Sequence, residues 1–100
     1  MAILHIALFR WNESVTPERI AALEERLSTL ADDLGMLERY DFGADLGLRP
    51  DTFDFGVVAK LSSVDILGDY LEHPVHQQVL HEHIVPILAD RAAIQIPARN

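Results

Sequence analysis

The chain has 100 residues, 49% of them hydrophobic, and a formal net charge of −8. That is enough apolar material for one domain with a core, and an acidic balance that would repel nucleic acid or an anionic membrane. There is no cysteine, which removes disulfides, thiol nucleophiles and thiolate metal sites. The apolar start from Met1 to Phe9 is too short to cross a bilayer and lacks the basic beginning and cleavage region of a signal peptide, so a soluble cytoplasmic protein is expected.

Ile3 to Arg10 reads as a strand apolar on both faces, with Leu4, Ile6 and Leu8 on one side and Ile3, His5, Ala7 and Phe9 on the other. A strand of this kind has to be covered on both sides. Trp11 to Val15 is a loop, and Thr16-Pro17-Glu18 opens a helix with a hydroxyl cap, a proline at the first helical position and an acid in the first turn. Ile20, Leu23, Leu27, Leu30 and Leu34 form its apolar stripe, and Gly35 ends it. Met36 to Asp45 alternates as a second strand, with Tyr40, Phe42 and Ala44 on one side and Arg39, Asp41 and Asp45 on the other.

Gly47 and Pro50 mark a loop, after which Phe53 to Leu61 is a third strand with Phe53, Phe55, Val57, Ala59 and Leu61 on one face. Ser62 and Asp65 stand at capping-box spacing before a helix striped by Val64, Leu67 and Leu71, which must end near Glu72 because His73 precedes a proline. Pro74 suits the first turn of a further helix running towards Ala89, with Pro86 kinking or restarting it. Ala92 to Pro97 is a short last strand, with Ile94 and Ile96 on one face and Gln95 on the other.

Strand, helix, strand, strand, helix pair, strand is the order of an α+β, ferredoxin-like β-α-β-β-α-α-β domain, an antiparallel four-stranded sheet with helices on one face. The apolar face left bare predicts a homodimer in which two sheets pack together and close a space between or within the subunits.

Asp69 to Ile84 holds four of the five histidines. Residues set about 100° apart around the helix from Pro74 bring Val79, His83, His76, Ile87, Leu80 and Ile84 onto one arc, with His81 and Glu82 outside it. An imidazole in an apolar face is either a hydrogen-bonded core group or a chemical one. For His83 the core reading is the simpler. No metal site is expected, because His76 and His83 are two turns apart, beyond the i, i+4 spacing that clamps a zinc, and no Asp or Glu falls between them on the face they share. No phosphate loop or Ser-His-Asp arrangement is present, and no cofactor is expected.

Leu4-His5-Ile6-Ala7-Leu8-Phe9, Gly43-Ala-Asp-Leu-Gly-Leu-Arg-Pro50, Asp54-Phe55 and above all Tyr70-Leu-Glu-His-Pro-Val-His76 resemble the stress-responsive A/B barrel (Dabb) family of dimeric α/β barrels. The likeness covers nearly the whole chain and itself implies the dimeric barrel. Many members have no known activity; the best understood relative is the plant polyketide cyclase that makes olivetolic acid by an intramolecular aldol closure. By position, the resemblance makes His76 the catalytic histidine, Tyr70 the tyrosine that supports it and His5 a first-strand histidine lining the site. Phe55 stands where the cyclase has another histidine, so that part of the cyclase's pattern is missing.

The resulting expectation is a small-molecule enzyme, a cyclase, lyase or cofactor-free monooxygenase, acting on an apolar carbonyl-bearing ligand. His76 is its acid/base, Tyr70 holds an oxyanion or orients the imidazole, and His5, Phe9, Phe55 and His83 line the ligand space. His5 faces either the helices or the sheet–sheet space, and its companions Ile3, Ala7 and Phe9 suit the latter. The alternative is a non-catalytic stress-response or ligand-binding protein with structural histidines. An open cavity bordered by His76 and Tyr70 favours the enzyme; one filled by Phe9, Phe53 and Phe55 favours the alternative.

Overall fold

In a computed structural model that describes residues 1–99, the elements are β1 (Ile3–Trp11), α1 (Pro17–Leu34), β2 (Arg39–Ala44), β3 (Phe55–Leu61), α2 (Leu67–Glu72), α3 (Pro74–Val79) and β4 (Leu88–Pro97). The four strands form one sheet in the order β2-β3-β1-β4, every neighbouring pair antiparallel. This is the α+β, ferredoxin-like arrangement that the element order implies.

Helix α1 starts and stops where its chemistry dictates. Thr16 Oγ1 accepts from the Arg19 N–H at 3.1 Å, Pro17 occupies the first turn, and Gly35 ends the helix with φ 69°, a left-handed conformation that costs glycine little. Leu23, Leu27, Leu30 and Leu34 are buried on the side turned to the sheet. They meet the inner sheet face, where Ile3, His5, Ala7 and Phe9 of β1 alternate with half-buried Leu4, Ile6 and Leu8. His5 therefore faces the helices; the expectation that its side looks into a sheet–sheet space is wrong, because the apolar companions of His5 are covered by α1 and α3.

Among the described residues, the opposite face of the sheet carries no helix. The register sets Leu4 beside Ile96, Ile6 beside Ile94 and Leu8 beside Ala92, with Val58 next to Ile6 on the other side. Ile94 is 56% exposed and Ile96 37%.

Several boundaries move. Trp11 belongs to β1, opposite Leu88 across a bulge, and β2 and β3 begin at Arg39 and Phe55. Ser62 and Asp65 make no capping box: the chain passes through a 3-10 turn, Val64–Ile66, with no side-chain cap, and Val64 is exposed. The helix from Pro74 stops short of Ala89. It loosens into a π-helical turn at Leu80–Ile84 and a 3-10 turn at Val85–Ile87, since Pro86 lacks the N–H that an α-helix would need there. Strand β4 then starts at Leu88, earlier than periodicity predicts, and its first residues pair with the far end of β1.

Candidate functional site

The site is built on the break between α2 and α3. Pro74 holds His73 outside helical geometry, at φ −58° and ψ 131°. In an unbroken helix the Val75 N–H would donate to Leu71 O; here it donates to His73 Nδ1 at 3.1 Å. Leu71 O is thus left to side chains, with His76 Nδ1 at 3.1 Å and Gln77 Nε2 at 2.6 Å. A carbonyl only accepts, so His76 Nδ1 carries the proton and Nε2 holds the lone pair.

Across the cavity, His5 of β1 sits opposite Gln95 of β4, and Gln95 Nε2 lies 2.9 Å from His5 Nδ1. An amide nitrogen only donates, so His5 Nδ1 accepts and its proton resides on Nε2. Among the described residues every fully enclosed side-chain nitrogen or oxygen has a hydrogen-bond partner. The Nε2 atoms of His5 and His76 have none, so both meet open space.

That space is a cavity of about 220 Å³ between sheet and helices, bordered by His5, Phe9, Tyr40, Tyr70, His76, Gln77 and Arg91 and otherwise by aliphatic side chains of the sheet, the helices and the turns after α3. An apolar cavity of about 150 Å³ accepts benzene, so this one has room for a single ring with a short substituent. The Tyr70 ring lies between the histidines, edge-on to His5 at 6.0 Å and tilted against His76 at 4.5 Å.

The electrostatics keep both imidazoles neutral. Burial lowers the pKa of His5, helped by the charges of His76 and Arg91. Burial also lowers that of His76; the Leu71 hydrogen bond opposes this, while His73 and Arg91 reinforce it. Burial pushes the Tyr70 phenol up to about 12, with Tyr40 pulling slightly the other way, and raises Tyr40 further, aided by Tyr70. Both phenols remain protonated donors. At neutral pH the cavity thus offers one basic nitrogen, one imidazole N–H and two phenols in an apolar setting.

Of the residues singled out in the sequence, His76, Tyr70, His5 and Phe9 come together here. Phe55 and His83 do not line the cavity. Phe55 is 1% exposed, packed in the core with its ring 5.8 Å from Trp11. His83 is half-buried and falls off the apolar arc because it lies in the π-helical turn, where each residue advances less around the axis than the α-helical wheel assumes. Tyr40, Gln95 and Arg91 were missed. Strand alternation already set Tyr40 and Gln95 on definable faces, whereas Arg91 fell between the helix read to Ala89 and the strand read from Ala92.

Among the described residues no three His, Asp or Glu side chains converge as a metal site, and no helix is long and apolar enough to cross a membrane. The model of the stress responsive A/B barrel domain matches residues 3–98. The chain belongs to this family. An uncharacterized protein of Streptomyces coelicolor is 31% identical over 77 residues, covering 75% of this chain and 79% of that one. Among solved structures, a dimeric ferredoxin-like protein of unknown function from Thermobifida fusca is 46% identical, covers 98% of this chain and 92% of its own, and has a TM-score of 0.90. The hydroxynitrile lyase of Passiflora edulis shares the A/B barrel chain's fold at 17% identity, with 95% of this chain and 91% of its own covered and a TM-score of 0.81.

Proposed function

We propose that this A/B barrel protein is a small-molecule enzyme in which His76 acts as acid/base on an apolar, carbonyl-bearing ligand held in the cavity. The observation that carries the reading is the bond from His76 Nδ1–H to Leu71 O, which presents a neutral, basic Nε2 to open apolar space. His76 Nε2 removes a proton next to the carbonyl. The electron pair moves onto the carbonyl oxygen, which is held by the His5 Nε2–H and the Tyr70 hydroxyl as it becomes anionic. The imidazolium then returns the proton, either to carbon in an isomerisation or, in an aldol-type closure, to the alkoxide formed when the enolate carbon bonds to a second carbonyl carbon of the ligand and that C=O π pair moves onto its oxygen. The occurrence of a hydroxynitrile lyase on the same fold supports the fold as a host for lyase chemistry.

The test needs no knowledge of the natural substrate. Acetophenone in deuterated buffer at neutral pH exchanges its methyl protons slowly, and NMR follows the loss. The protein is expected to accelerate exchange and His76→Gln to remove the acceleration, by about 10² or more. If neither acetophenone nor phenylacetone exchanges faster with protein than without, the catalytic reading fails and the cavity is a binding site.

We also infer that two copies pair through the open sheet face, closing the barrel. The support is the apolar row of Leu4, Ile6, Leu8, Ile94 and Ile96 on a face without helices and the dimeric state of the Thermobifida fusca relative. The cavity lies on the helix side of the sheet, away from that face.

A further inference from the structure

The charged member of the cavity wall is Arg91. The register places it opposite Phe9 on the inner face of β4, four residues and thus roughly 13 Å of strand from Gln95. One end of the cavity therefore carries His5, with Gln95 bonded behind it, and the other a guanidinium. Arg91 is exposed as well as lining, which puts it at the opening.

Among the described residues Arg19 and Arg49 are likewise exposed and without an ion pair, but neither lines the cavity, as Arg91 does. There are 16 Asp and Glu residues against eight Lys and Arg, and Arg26, Arg39 and Lys60 sit beside Asp33, Asp41 and Glu38. Arg10 lies over the Phe53 ring, 4.1 Å from its centre. Among the described residues no carboxylate lies within ion-pair distance of Arg91. The nearest acid in sequence, Asp90, belongs to the opposite sheet face, where it pairs with Arg10 in the register, and it accepts from the Arg91 backbone N–H at 2.9 Å. The charge nevertheless reaches inward, since it disfavours protonation of both His5 and His76.

We propose that the ligand is a carboxylic acid of single-ring size, its carboxylate held by Arg91 at the cavity mouth and its ring among the aliphatic side chains. The carbonyl part of the description, a ring-bearing oxo acid, rests on the catalytic reading of His76; the carboxylate part stands on Arg91 and the cavity. A guanidinium binds a carboxylate through two parallel N–H donors, and the low-dielectric wall strengthens the pair relative to open surface. One guanidinium with no second cation beside it matches a monoanion better than a phosphate dianion. The negative protein around it would then disfavour anions everywhere except at this opening.

Phenylpyruvate and phenylacetone separate the two parts, because they share a benzyl ketone and differ in a carboxylate against a methyl group. Dissociation constants from NMR titration are expected to favour phenylpyruvate about tenfold or more in the wild type. Arg91→Gln should bring the two dissociation constants together by weakening phenylpyruvate, while Arg91→Lys keeps part of the preference. His76→Gln should retain the preference and lose proton exchange. Equal affinities in the wild type, no binding of phenylpyruvate, or an undiminished preference in Arg91→Gln each overturn the carboxylate assignment. An Arg91-dependent preference without His76-dependent exchange would instead keep the acid as ligand and remove the catalytic reading.

Discussion

His5 and His76 border one cavity as opposite tautomers, the first receiving a hydrogen bond from Gln95 Nε2 at Nδ1 and the second donating from Nδ1 to Leu71 O. One ring therefore offers an N–H and the other a lone pair. Proton removal at carbon with charge developing on oxygen needs that division of labour.

Gln95 is the residue that sets the His5 half of the pair. Gln95→Glu places a carboxylate against His5 Nδ1, which moves the proton to that nitrogen and raises the His5 pKa. Long-range nitrogen–proton NMR should show His5 protonated at Nε2 in the wild type and at Nδ1 in the variant, with ketone exchange falling at neutral pH. The same His5 spectrum in both proteins would mean that Gln95 does not direct it.

Tyr70→Phe tests the second donor. The ring that packs between the two histidines is kept, so stability should fall by only about 1 kcal/mol, the usual net worth of a hydrogen bond. The exchange rate should fall by about 10² to 10³ if the phenol holds an oxyanion. With the phenol pushed up to about 12, the wild-type rate should show no loss from its ionisation up to about pH 10. A purely packing role predicts an unchanged rate in the variant.

The depressed histidines also make stability depend on pH in one direction. An unfolded histidine takes up a proton near pH 6.5, whereas folded His5 and His76 do so only at lower pH because burial disfavours the cation. Between those values the unfolded state binds more protons, so stability is full above about pH 6.5 and declines as the pH falls towards the depressed folded values. Melting temperatures at pH 7.5 and 5 should show this loss in the wild type and a smaller one in His5→Gln/His76→Gln. An equal loss in both would assign the acid sensitivity to other groups.

How much of this was legible in the sequence depends on whether a local rule governed the position. The ends of α1 were readable because Thr16, Pro17 and Gly35 act within their own turn. The break at His73-Pro74 was readable for the same reason, and with it the approach of Tyr70 to His76. The face of His5 was not, since both sides of β1 are apolar and alternation cannot say which one the helices cover. His83 was misplaced because a π-helical turn leaves no mark in apolar spacing, although Pro86 signalled that the helix could not continue. Arg91 was hidden between two readings: the helix carried to Ala89 and the strand begun at Ala92 together took four residues from β4, and Arg91 fell in the unassigned gap.

The alternation along β4 carries the last prediction. Ile94 is two residues from Ile96 on the outer face and 56% exposed, so an aspartate there meets water in a lone subunit and costs the fold little. Where two sheets pack, it would bury an unpaired carboxylate, which is strongly unfavourable. Wild-type protein at micromolar concentration should scatter light as a dimer and Ile94→Asp as a monomer, with the circular dichroism of the two superimposable. Ketone exchange should survive in the monomer, since every polar group proposed to act on the ligand comes from one chain. A wild type that is itself monomeric would remove the dimer and leave the cavity chemistry untouched.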